Sequence, residues 1–353
     1  MNFFLLFIVA AALWGARIRV RGFDTADYLA HDHTTTINGI FILIVFYAHL
    51  RTYVPYNPAW DGGMYWLTVH LGQLMVALFL FYSGYGVAES LRHKPGYVHT
   101  MPAKRLGVTW VNFLIAQVLF VILDLALGRP FTPAQLGWAL IGWKSIGASA
   151  WYIFAILVLY GLTWLTYTVV RDRPWIALAV MFVLVVAFTV FMWYFKGKAA
   201  YTYNTVLCYP LGMLYSLARP HFERVYTHSI GSPVAFLVTL GLFWVTTEYD
   251  SLQYMVFEAE SMLFCLLAMQ VTLKIHIESP VLHWFGKNLF WIYVLQRIPM
   301  IALRDLGFAD VAPYPFAAIC FAVTVALAWI MSRATKPLDA KIAALAPAPR
   351  PKA

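Results

Sequence analysis

The run Trp175-Ile-Ala-Leu-Ala-Val-Met-Phe-Val-Leu-Val-Val-Ala-Phe-Thr-Val-Phe-Met-Trp-Tyr-Phe195 contains no charged residue. At 1.5 Å per residue, a helix of this length spans about 30 Å, the hydrocarbon thickness of a bilayer. Arg171 and Arg173 precede it and Lys196 and Lys198 follow it, while Trp175, Trp193 and Tyr194 mark its ends. Basic and amphipathic aromatic residues at both ends suit a helix that begins and ends in the headgroup layers.

The same pattern repeats along the chain. Apolar spans are expected at about 2–16, 35–54, 66–88, 106–127, 149–170, 175–195, 203–218, 230–249, 252–273, 287–305 and 312–332. The fold expected is therefore all-α, a polytopic transmembrane helix bundle of about eleven spans. Composition agrees: 12% of residues are charged and 62% hydrophobic, against about 25% charged in a soluble domain. Three regions follow. Residues 1–34 form an N-terminal transmembrane helix and basic linker, 35–333 a ten-helix membrane domain, and 334–353 a disordered cytoplasmic tail. Cys208, Cys265 and Cys320 lie far apart in apolar stretches; they carry neither metal-ligand spacing nor a disulfide framework.

A formal charge of +9 suits a nucleic-acid partner as well as a membrane protein, and the placement of the charges decides. With alternating spans, 18 of the 25 Lys and Arg residues fall in loops on one side. Only Arg51, Arg129, Lys144, Lys196, Lys198 and Arg304 fall on the other, and Arg297 remains inside a span. This is the positive-inside bias, so the charge reports topology and no nucleic acid is needed. The N-terminus is expected outside and the C-terminus in the cytoplasm, with membrane lipids as partners of the basic loops.

Ionisable groups within the hydrocarbon layer are costly, which makes each one a candidate for function. His49 sits toward the outer end of the second span. Asn38 precedes it by eleven residues, which returns to the same helix face about 16 Å away. Gln296 and Arg297 stand mid-span in Asn288-Leu-Phe-Trp-Ile-Tyr-Val-Leu-Gln-Arg-Ile-Pro299. A guanidinium there needs a carboxylate, backbone carbonyls or a wet cavity. Glu258 and Glu260 are candidate partners, about 200° apart around their helix, so they cannot face one cavity equally. The glycines of Ser83-Gly84-Tyr85-Gly86 are read as close helix packing.

These residues occur in an order that resembles the acyltransferase-3 family of membrane O-acyltransferases. Asn38-Gly-Ile-Phe-Ile-Leu-Ile-Val-Phe-Tyr-Ala-His49 is similar to its first helix, and Phe79-Leu-Phe-Tyr-Ser-Gly-Tyr85 to its Phe-rich Ser-Gly segment. Lys104-Arg105-Leu106 stands at its cytoplasmic basic motif and Ser149-Ala-Trp-Tyr-Ile-Phe154 at the start of a later helix. Phe285-Gly-Lys-Asn-Leu-Phe-Trp-Ile-Tyr293 resembles the closing motif. The resemblance covers about residues 35–333 and implies a ten-span core preceded by an accessory helix.

It implies further that an acetyl group moves from cytoplasmic acetyl-CoA to a hydroxyl of an extracytoplasmic or lipid-linked glycan at the cell membrane, with no tightly bound cofactor and no metal. His49 would be the catalytic residue, joined by Arg297, Gln296, Asn38 and Glu258. Lys104 and Arg105 would hold the CoA head with Ser83 and Tyr85 nearby, and Trp151 and Tyr152 would face the acceptor. Three departures stand out: Asn38 replaces the family's arginine, Val108 interrupts an Arg-x-x-Arg pattern, and Gln296 replaces a histidine. An exporter of a polysaccharide or small solute is the alternative, because buried His, Arg and Glu also suit proton coupling.

Overall fold

The computed structural model describes residues 1–147, 150–249 and 254–347. Its helices are, in chain order, α1 (Asn2–Trp14), α2 (His31–Leu50), α3 (Pro58–Leu71), α4 (Leu74–His93), α5 (Tyr97–Ala126), α6 (Trp151–Val170), α7 (Pro174–Phe195) and α8 (Cys208–Thr227). They continue with α9 (Gly231–Tyr249), α10 (Tyr254–Thr272), α11 (Pro280–Lys287), α12 (Leu289–Leu295), α13 (Arg297–Asp305), α14 (Pro313–Ala334) and α15 (Lys336–Ala344), besides shorter connecting helices. Eight of the helices among the described residues are long and apolar enough to cross a membrane. The protein is an all-α, multi-pass membrane bundle.

Where the helices depart from the expected spans, each departure has a local reason. The first, α1, has 13 residues, about 20 Å of helix. It is packed in rather than appended: Phe4 and Ile8 are buried, and Phe4 meets Phe46 and Phe321. The 66–88 stretch is cut at Gly72, whose φ of +46° turns the chain between α3 and α4. The 203–218 stretch begins a helix that runs on through Pro220, Glu223 and Arg224 to Thr227. The 287–305 stretch is broken, because Pro299 has no N–H for the Leu295 carbonyl; α12 ends at Leu295 and α13 begins at Arg297. The tail expected to be disordered from 334 is helical through Ala344, and Asp339 accepts a 2.8 Å hydrogen bond from Asn112. Residues 348–353 lie outside the described residues.

Two glycine contacts set the close crossings. A Cβ on Gly39 of α2 would lie 1.8 Å from the Leu282 carbonyl oxygen, and one on Gly286 of α11 would lie 1.8 Å from that of Thr35. Gly84 of α4 and Gly212 of α8 form the same reciprocal pair, against Tyr209 and Phe81 carbonyls at 1.9 and 2.0 Å. Small residues let backbones touch where lipid gives no hydrophobic drive for association. The packing reading of Gly84 therefore holds, while Gly86 faces open space.

Loops assigned to one side of the membrane meet one another. On the more basic face Arg92 donates to the Ser216 carbonyl at 2.8 Å, Lys274 to that of Gly22 at 2.8 Å and Arg219 to that of Thr25 at 2.5 Å. There β1 (Ala16–Ile18) pairs antiparallel with β2 (Ile275–Ile277), with Ala16 opposite Ile277. On the other face Arg129 pairs with Asp305, and Arg304 donates to the Tyr53 carbonyl at 2.5 Å. The more basic face is the one that the positive-inside rule expects in the cytoplasm.

Candidate functional site

The α2–α11 crossing fixes His49, one residue from the end of α2, against the broken segment that follows α11. The imidazole lies 6.2 Å from the Tyr293 ring, centroid to centroid, and the Gln296 side chain is within hydrogen-bonding reach of it. Gln296 is fully buried, and its amide nitrogen donates to the Tyr293 carbonyl at 3.0 Å. Arg297 is half-buried and lines the same cavity as His49, about 600 Å³ in volume and open on the outer face. Gln296 and Arg297 follow Tyr293 at i+3 and i+4, so the face that meets His49 through Tyr293 carries them too.

Around the cavity stand Trp143, Trp151 and Tyr201, with Lys144 and Lys198. The Lys198 ammonium donates to the Trp143 carbonyl at 3.1 Å and lies 4.3 Å from that ring's centre. Partial burial pulls its pKa below the ordinary lysine value, and repulsion from Lys144 and Lys196 adds to the shift. Tyr152 is buried behind Trp151 and connects inward, 5.4 Å from Tyr293 and 6.3 Å from Phe79.

Eight residues along α6, Tyr160 lies about 12 Å deeper and about 80° round the helix from Tyr152. Its hydroxyl is 2.8 Å from Ser83 Oγ, and the Arg105 guanidinium sits 5.9 Å over its ring. Arg105 Nε donates to the Tyr97 hydroxyl at 2.9 Å. Pro102, which has no N–H, accompanies a widened π-helical turn over Pro102–Gly107 that carries Arg105. Tyr97 in turn lines a second cavity of about 680 Å³ on the cytoplasmic face, with Arg92, His93, Lys94, His99 and Arg171. Polar and aromatic groups thus run from that basic mouth toward the tyrosines beside His49.

Other expected residues fall elsewhere. Lys104 is exposed beside Arg105, and the Tyr85 hydroxyl accepts from Arg219 at 3.2 Å. Asn38 is half-buried in the inner half of α2, its amide oxygen without a partner among the described residues. It does not line the outer cavity. The ion pair expected between Arg297 and Glu258 or Glu260 is not formed among the described residues. Glu258 accepts from the Leu207 N–H at 3.4 Å, at the start of α8, and Glu260 from Thr247 at 3.1 Å. Both are buried on α10, and each accepts such a bond from a neighbouring element. Ser149 lies outside the described residues.

The sequence reading missed Trp143, Lys144, Lys198 and Tyr201 at the outer cavity and Arg171 and His99 at the inner one. One signal was available: Lys144 and Lys198 belong to the minority of cations that run against the charge bias.

Comparison with known proteins agrees with the motif order. No curated protein and no solved structure matches the chain. The sequence model of the acyltransferase-3 family, described as an acyltransferase domain, matches residues 37–333, which take in both cavities and the path between them. The chain belongs to the acyltransferase-3 family and is a multi-pass membrane acyltransferase.

Proposed function

We propose that the protein transfers an acetyl group from cytoplasmic acetyl-CoA to a hydroxyl of an extracytoplasmic or lipid-linked glycan at the cell membrane. The observation that carries this reading is a pair of cavities on opposite faces, the outer one lined by His49 and Arg297 and the inner one by a cluster of basic residues. The cytoplasmic cavity is rich in cations suited to the phosphates of CoA. Arg105, Tyr97, Tyr160 and Ser83 continue inward from it and offer hydrogen bonds to a pantetheine arm. The outer cavity, walled by Trp143, Trp151 and Tyr201, offers flat apolar faces to sugar C–H groups.

His49 acts as general base. Its imidazole takes the proton of the acceptor hydroxyl as the oxygen attacks the thioester carbonyl. The new C–O bond forms, the C–S bond breaks, and the CoA thiolate leaves to be protonated. Gln296, buried beside the imidazole, orients it for proton transfer. Arg297 stands where negative charge develops on the carbonyl oxygen and stabilises it. Neither step needs a metal.

Full-length protein in lipid nanodiscs, with both faces accessible, should move label from [¹⁴C]acetyl-CoA to glycan, and His49→Ala should abolish transfer. Retention of transfer in that variant would refute the mechanism. Glycan export that proceeds without acetyl-CoA would replace the reading with a transporter.

A further inference from the structure

The outer cavity has an electrostatic character that sugar binding alone does not require. Lys144, Lys198 and Arg297 line it, Lys196 flanks Trp143 at 5.5 Å, and no carboxylate lines it among the described residues. Of the other cations of the outer face, Arg129 pairs with Asp305 and Arg304 with Asp310 at 3.2 Å, while Arg51 lies 5.2 Å from the centre of the Tyr65 ring. Cations on the outer face also run against the bias that orients the chain, so they are not by-products of topology. Like charges gathered in a concave site with apolar walls repel, and an anion placed among them relieves that repulsion. Lys198 is held in place for such a contact, its ammonium fixed between the Trp143 ring and carbonyl.

We propose that the acceptor of this cavity is an anionic saccharide, whose carboxylate or phosphate is bound by Lys144 and Lys198 while its ring lies against Trp143, Trp151 and Tyr201. This rests on the acyl-transfer reading for what happens next, but the binding stands on the cavity alone. The anion sets the register of the sugar in the cavity and so selects which hydroxyl reaches His49. Arg297, nearer the imidazole, remains available to the reacting carbonyl.

The test uses the full chain in nanodiscs and two matched pairs of probes. One is oligogalacturonate with its carboxyl-reduced, neutral counterpart; the other is a 6-phosphorylated oligomannose with its dephosphorylated form. Binding is read by quenching of tryptophan emission and transfer by label from [¹⁴C]acetyl-CoA. At least one anionic probe should bind roughly tenfold more tightly than its neutral partner, the scale of one charge-assisted hydrogen bond. Raised salt should erode that preference. It should collapse toward one in Lys144→Gln/Lys198→Gln and survive in Lys198→Arg. Whichever pair shows the preference identifies carboxylate or phosphate.

Equal binding of anionic and neutral partners overturns the proposal, as does a preference untouched by the double substitution or no binding of either anionic probe. The two readings fail separately. Lysine-dependent binding of an anionic probe without acetyl transfer to any saccharide leaves this inference standing and removes the proposed function. Transfer to neutral and anionic partners alike does the reverse.

Discussion

Substituting Gly39 by alanine tests whether one helix crossing assembles the site. The added Cβ would lie 1.8 Å from the Leu282 carbonyl oxygen, where ordinary contact is 3.4–4 Å, so the α2 and α11 backbones must part by about 1.6 Å. A backbone carbonyl cannot rotate away as a flexible side chain can. The cost should reach the upper end of overpacking penalties, about 3 kcal/mol, and lower the melting temperature of the detergent-purified protein by roughly 4 °C. The separation also moves His49 on α2 relative to Gln296 and Arg297, which follow α11 in the chain. A displacement of that size at a reacting group costs on the order of 10²-fold in rate. Gly286→Ala, from the opposite side of the same contact, should reproduce both effects. Gly241→Ala, where a Cβ meets open space on α9, should change stability by less than about 0.5 kcal/mol. The measurements are a thermal melt and acetyl transfer at matched protein level. A Gly39→Ala protein with native melting temperature and native rate would refute the claim that this crossing sets the site.

Three further outcomes follow from the geometry. Gln296→Ala should lower kcat by about tenfold or more with little change in the KM for acetyl-CoA, because it frees the imidazole without touching the donor site; an equal loss in KM alone would contradict this. Arg105→Ala should raise the KM for acetyl-CoA about tenfold, and Arg105→Lys should recover little, since the 2.9 Å bond from Nε to Tyr97 needs a guanidinium. Preference for an anionic acceptor should be present while Lys198 is protonated and fade as pH rises through its lowered pKa. That fall should begin below the ordinary lysine range of about 10.4, and Lys198→Arg should carry the preference to higher pH. Lys144, Lys196 and Arg297 are the other cations of that mouth. A preference that is flat with pH up to the ordinary range would exclude Lys198 as the anion ligand.

The sequence by itself determined that this is a membrane helix bundle. An uncharged stretch such as 175–195 has one stable environment, and the cost of carrying cations outward fixes which loops share a face. It also determined the family, because motif order survives without contacts, and His49 stood out as an ionisable group where burial is costly. Tertiary structure alone decided what surrounds it. Helical spacing puts Gln296 and Arg297 on the face of Tyr293, but whether that face turns toward His49 depends on how α11 packs on α2. Glu258 and Glu260 read as partners for Arg297 because burial demands a counter-charge somewhere. Helical periodicity fixes only the angle around one axis and not the neighbour met there, and what they meet is the Leu207 N–H at the start of α8 and the Thr247 hydroxyl on α9. Lys144 and Lys198 lie more than fifty residues apart in loops without periodicity; only folding brings them to one cavity. Their charge opposite to the topological bias was legible, and its reason lies in the shape of the outer cavity.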